Sequence, residues 1–372
     1  MLLITYRLIT LFVLGAACAA QTGTAPAATP PQTAEQAYKN IQVLKGAPAD
    51  QLIPAMQFMA ASLGVQCDFC HVENAFEKDD KQTKQTARKM IQMLLVINKD
   101  NFQGQKKVTC YACHRGVHRP VASPLISEEP AQPAPEENVG RSESSATNLP
   151  SVDTIVEKYL QAMGATSSAT TSIRLQQGSL TIGTAQFPVE VLTKGPAKRV
   201  TTIHFPGGDS VTGFNEQVGW LTTPGRDTHQ MTRAELDGAQ MESSFQFGMD
   251  LRQMFQKLQV QQEDTINNRP TVLVLGMRGD YPPAQLYFDR ESGLLVRLLR
   301  YVDTPLGLNP TQIDYADYRE DGGRKVPFRW TVAHPGSRFT IQIEHAQQDL
   351  QVNDEKFLPP PTLQSESPRP PR

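Results

Sequence analysis

Two five-residue runs carry the chemistry of this chain. Cys67-Asp68-Phe69-Cys70-His71 and Cys110-Tyr111-Ala112-Cys113-His114 each set two thiols one helical turn apart, with an imidazole directly after them. That arrangement suits covalent attachment of a c-type haem, because the thiols add across two vinyl groups and the imidazole takes the iron from one face. A four-thiolate zinc centre built from Cys67, Cys70, Cys110 and Cys113 is the alternative, as is a dithiol redox pair. Neither requires a His after each pair. The chain has 5 Cys, so only Cys18 lies outside the two motifs and no Cys is left over for a structural disulfide.

An iron held by His on one face needs a decision on the other. A thioether there closes the coordination sphere and suits electron transfer, whereas an open position suits catalysis. Met56 and Met59 precede the first motif, and Met90 and Met93 precede the second. Met at helical spacing also serves as ordinary core packing. With two irons to complete, Met56 and Met90 are the favoured ligands, and Met59 and Met93 are assigned to packing against the porphyrin. His118, four residues after the second motif, is a further candidate ligand, though a solvent-exposed His is the commoner outcome at such a position.

The elements that must position these groups are legible as helices. Leu52, Met56, Met59, Ala60 and Leu63 recur at helical spacing behind Pro54, and Gly64 stops the run. A second helix is expected over 81–99, with Ala87, Met90, Met93, Leu94 and Ile97 as its apolar stripe and Lys84, Arg88 and Lys89 in water. The pattern of helix, Met-x-x-Met, loop and C-x-x-C-H therefore occurs twice.

Around this module the chain changes character. Arg7, the apolar run from Leu8 to Ala17 and the small residues Ala16 to Ala20 read as an export signal. A lipid anchor on Cys18 is the competing reading and would tie the protein to a membrane. Residues 21–35 read as a flexible tether, 36–119 as the dihaem module, 120–150 as a linker of Pro, Glu and Ser, and 361–372 as a disordered tail. Residues 151–360 read as α+β. A short amphipathic helix ends at Gly164, and Phe339, Ile341 and Ile343 alternate as a strand should. Asp321-Gly322-Gly323 marks a turn, Thr232-Arg233-Ala234-Glu235 a capping box, and Leu251, Met254, Phe255 and Leu258 a helix interrupting the sheet. The expected fold is thus multidomain: a small, mainly α dihaem c-type cytochrome domain, then an α+β domain with a curved antiparallel sheet.

Residues 40–119 resemble the cytochrome c subunit of the photosynthetic reaction centre, specifically its first pair of haem-binding repeats. The phrases Val108-Thr109-Cys110-Tyr111-Ala112-Cys113-His114-Arg115-Gly116 and Ala87-Arg88-Lys89-Met90-Ile91-Gln92-Met93 carry the resemblance. It implies two covalently bound haem c groups stacked for electron hopping, with Met56 opposite His71 and Met90 opposite His114. That family typically has four motifs where this chain has two, so a photosynthetic role is implied by the resemblance alone. The second half weakly resembles lipoprotein-carrier-like half-barrels of the bacterial envelope, through its element order and phrases such as Asp317-Tyr318-Arg319 leading to Val326-Pro327-Phe328-Arg329-Trp330.

With 372 residues, a net charge of -2 and a pI near 6.4, the chain gives no reason to expect nucleic acid as a partner. Residues 39–119 are locally basic, which suits docking of an acidic redox partner. The leading expectation is a non-enzymatic electron carrier of the periplasm that passes electrons between redox partner proteins. The alternatives are a dihaem peroxidase-like oxidoreductase and an envelope ligand-binding protein with a haem redox module.

Overall fold

The helices begin and end where backbone chemistry dictates. A computed structural model describes residues 32–120, 149–164, 173–348 and 350–364. The export-type segment with Cys18, most of the tether, most of the linker and most of the tail lie outside the described residues. α1 (Ala34–Ala37) starts on a Thr33/Gln36 capping box, within the stretch read as a tether, and buries Ala34. α2 (Leu52–Leu63) ends on Gly64 at φ 65, as the sequence predicts. α3 (Gln82–Phe102) runs three residues beyond the expected end before Gln103 and Gly104 turn left-handed. α4 (Cys110–His114) is the second motif itself.

The buried face of α3 differs from the expected stripe. Ile91 and Leu94 are buried, but Met90 and Met93 are 41% and 49% exposed, and Lys84 and Asn98 turn inward. Lys84, expected in water, is only 7% exposed. The cause is backbone demand: both polar side chains satisfy loop groups, and these bonds outweigh apolar periodicity in setting the helix's rotation.

After α5 (Val152–Ala162), capped by Ser151, the chain forms strands. β1 (Ile173–Ile182), β2 (Ala185–Lys194), β3 (Lys198–Phe205), β4 (Gly208–Phe214), β5 (Gly219–Thr222) and β6 (His229–Gln230) make one meander. α6 (Arg233–Gln246) and α7 (Leu251–Met254) follow. β7 (Lys257–Ile266), β8 (Arg269–Met277), β9 (Ala284–Asp289), β10 (Leu295–Thr304), β11 (Gly307–Asp321), β12 (Arg324–His334) and β13 (Ser337–Gln348) make the second meander. α8 (Pro361–Gln364) closes the described chain. All neighbours pair antiparallel in one open sheet of 13 strands, ordered β6-β5-β4-β3-β2-β1-β13-β12-β11-β10-β9-β8-β7. The pairing of β1 with β13 joins the two meanders in mid-sheet, and α6 and α7 connect its two edges.

One core unites this sheet with its helices: Ile155, Val156 and Tyr159 of α5 and Met241 and Phe245 of α6 pack with Leu286, Leu298, Ile313, Ile341 and Ile343. Ile341 and Ile343 are inward as the alternation predicts, and the capping box at Thr232 and Glu235 forms with bonds of 2.8 and 3.2 Å. The helix expected across Leu251 to Leu258 shrinks to the single turn of α7. Phe255 is already extended, its ring directed onto Phe245, and Leu258 enters β7.

A second, smaller core belongs to the helical part. It consists of Ala34, Leu44, Leu52, Ala55, Ile91, Leu94 and one visitor from the sheet, Leu306. Leu306 sits at the β10–β11 turn and is 1% exposed. The turn is held by Thr304, whose hydroxyl donates to Gly307 O (2.6 Å) and accepts from Leu306 N (3.2 Å). Asn309 donates to Gln57 of α2 at 3.2 Å, and Lys106 pairs with Asp303 at 2.6 Å. The sheet thus supplies a side chain to the core against which α2 packs.

Candidate haem-binding site

Each motif folds as a single turn. In the first, His71 N and Cys70 N both reach Cys67 O, at 3.0 and 3.3 Å. In the second, α4 spans all five residues and closes on Arg115 and Gly116, with φ 48 and 84. Cys67 and Cys113 are exposed, whereas burial pushes the Cys70 and Cys110 thiols up from their ordinary values. The two motifs lie close together in the fold. Gly116 N donates to Ser62 O at 2.9 Å, and a side chain at Gly64 would collide with the Gly116 carbonyl. The His118 ring rests on Phe69 of the first motif, with centroids 5.7 Å apart.

Both motif histidines are oriented in the same way. His71 Nδ1 lies 2.9 Å from Phe76 O, and His114 Nδ1 lies 3.1 Å from Val117 O. A carbonyl only accepts, so Nδ1 carries the proton in each bond and Nε2 keeps its lone pair for a metal. This is how ligating imidazoles are commonly fixed.

The helix α3 ties down both motifs through polar groups that apolar periodicity does not reveal. Thr83 Oγ1 donates to Phe69 O at 2.5 Å, and Lys81 Nζ donates to Asp68 O. Lys84 Nζ donates to Phe76 O at 2.8 Å and Lys78 O at 2.7 Å, and pairs with Asp79 at 3.0 Å. Toward the other end, Asn98 exchanges two bonds with the Val108 backbone, at 2.7 and 2.9 Å, just ahead of the second motif. Hydrogen bonds from Arg88, Asn40 and Lys84 hold the Asp79 carboxyl well below the usual carboxylate range. The only sequence signal for this set is a cluster of cations at a helix start, where the dipole disfavours them unless carbonyls receive them.

The methionines divide by helix. Met56 and Met59 are half-buried against the small core, as is Cys110, while Met90 and Met93 face outward. Surface apolarity distinguishes the region further. Of the fifteen large apolar side chains that are exposed among the described residues, ten lie in residues 32–120, including Phe69, Phe76, Met90, Met93, Val96 and Tyr111. A small module with so much uncovered apolar surface fits residues that a flat apolar macrocycle would cover. Among the described residues no three His, Cys, Asp or Glu side chains converge to hold a metal ion.

Residues 14–189 match the family model "Photosynthetic reaction centre cytochrome C subunit". The photosynthetic reaction center cytochrome c subunit of Thermochromatium tepidum is 30% identical over 118 residues, which are 31% of this chain and 29% of that protein. Cytochrome c-554 of Chloroflexus aurantiacus is 35% identical over 82 residues, 20% of each chain. The chain therefore spans less than a third of the length of these relatives. Among solved structures, a LolA superfamily protein from Nitrosomonas europaea aligns with 57% of this chain and 99% of its own, at 12% identity and a TM-score of 0.40. No helix among the described residues is long and apolar enough to cross a membrane. Over residues 14–189 this chain is similar to the photosynthetic reaction centre cytochrome c subunits, the family to which its paired motifs pointed.

Proposed function

We propose that this protein is an exported dihaem c-type cytochrome that carries electrons between redox partners in the cell envelope. Cys67 and Cys70 would hold one haem and Cys110 and Cys113 the other, with His71, His114, Met56 and Met90 as the residues that would ligate their irons. When bound, such a group supplies reversible one-electron chemistry at its iron. The observation that carries the reading is the repeated placement of a histidine beside a thiol pair with Nδ1 committed to a carbonyl, at 2.9 and 3.1 Å. The relatives' names agree with a cytochrome role, and the amino-terminal pattern around Arg7 and Leu8 to Ala20 supports export.

The deciding experiment is haem stoichiometry on the full chain expressed with a c-type maturation system. Two covalent haems per chain are expected by absorbance of the alkaline pyridine complex and by intact mass, with one lost in each of C67A/C70A and C110A/C113A. A chain that carries fewer than two covalent haems under these conditions sinks the reading. Met56→Ala and Met90→Ala should each change the ligation of one haem, seen as a high-spin absorption component.

A further inference from the structure

The two motif histidines share an orientation but not an environment. Phe76 O, which accepts from His71 Nδ1, also accepts from the ammonium of Lys84 at 2.8 Å. Val117 O, which accepts from His114, takes no second donor among the described residues. Lys84 is buried, and the side chain that neutralises it is shared. Asp79 Oδ1 lies 3.0 Å from Lys84 and 2.9 Å from Arg88, so one carboxylate faces two cations and a net positive charge remains.

We propose that Lys84 is a positioning residue that holds the haem at His71 at a higher reduction potential than the haem at His114, an inference that rests on the dihaem reading above. Two physical effects act in the same direction. Reduction adds one electron and no proton to a centre, and a buried cation two hydrogen bonds away favours the more electron-rich form, with little screening by solvent. The ammonium also competes for the carbonyl that would otherwise draw on the imidazole proton. This limits the imidazolate character of His71, which would stabilise ferric iron. Among the described residues no buried ammonium shares the carbonyl that the second motif's histidine uses. The repeat therefore yields two inequivalent centres, with an energetic direction for electron flow within one module.

A spectroelectrochemical titration of the full-length holoprotein, with dithionite as reductant, tests this. The unmodified protein should show two one-electron steps. In Lys84→Met the higher step should fall by about tenfold in its equilibrium constant, ~59 mV for one electron, while the lower step stays in place. Lys84→Arg, which keeps the charge, should hold most of the difference. Asp79→Asn, which removes the counter-charge, should move the higher step upward, so the proposal remains testable if Lys84→Met does not fold. Two bound haems with both steps unmoved overturn this inference alone, and so does an equal shift of both steps, the mark of a general structural role. Fewer than two haems on the unmodified chain overturns the dihaem reading and this inference with it.

Discussion

The sheet part and the helical part of this molecule are stabilised in different ways. The sheet with its helices buries a cluster of 27 apolar residues, most of them presented by strand alternation. The helical part buries seven, one of them borrowed, and leaves ten large apolar side chains exposed. Hydrophobic burial scales with the area removed from water, so the first part can hold its shape by side-chain packing and the second cannot do so alone. What organises the second is a set of polar ties from α3 and its start to loop backbone groups, to which covalent anchorage of the proposed haems would add. On the proposed dihaem reading, such a module has reason to keep its own core small, because the residues that would fill a core are needed to line the bound group.

Three perturbations sharpen this contrast. The largest is Leu306→Ala. Although Leu306 belongs to a hairpin of the sheet, the loss of about 2 to 5 kcal/mol typical of a buried Leu truncation should fall on the helical part. Melting followed at the haem bands should drop well before melting followed by the β signal in far-ultraviolet circular dichroism. Coincident displacement of both transitions would break the assignment of Leu306 to the small core. Next comes Asn98→Ala, which strips the Val108 N–H and C=O of their partners and should cost about 1 to 3 kcal/mol, again read at the haem bands. The second haem's spectrum should be disturbed before the first's, since Val108 leads into the second motif.

The smallest concerns acid. Asp79 has its pKa lowered in the folded protein by hydrogen bonds from Arg88, Asn40 and Lys84. The folded state therefore binds that proton less readily than the unfolded chain, whose Asp titrates near 3.9. The stabilisation is present above about pH 4 and is lost as pH falls below it through the folded pKa. Asp79 is exposed enough for salt to weaken the effect. Asp79→Asn should flatten the acid limb of haem-band melting and leave the sheet's acid limb unchanged.

Sequence reading succeeded where a local rule governs. The motif turns, the stop of α2 at Gly64, the capping box at Thr232 and Glu235, the turn at Gly322 and Gly323 and the alternation of Ile341 and Ile343 each depend on a few neighbouring residues. It failed where distant backbone decides. The rotation of α3 follows from Lys84 reaching Phe76 and Asn98 reaching Val108, and no apolar period encodes those bonds. The arrival of Leu306 in the helical core and the pairing of β1 with β13 were equally hidden, because both join segments through tertiary folding. In the candidate site the Cys and His residues were legible by type and spacing, whereas the carbonyl partners that orient each imidazole were not.

The visit of the β10–β11 turn to the helical core also has a consequence in time. The residues it links are far apart in the chain: Lys106 and Asp303 by 197 positions, Gln57 and Asn309 by 252. Chains are made from the amino end, so both Cys motifs exist well before the turn that completes the core beside α2. Closing so long a loop is also an entropic cost that local contacts do not carry. The helical module is therefore synthesised before the sheet and is among the last parts to be finished. During that interval its thiols stand on an incompletely packed scaffold, and the arriving hairpin then closes the core behind them.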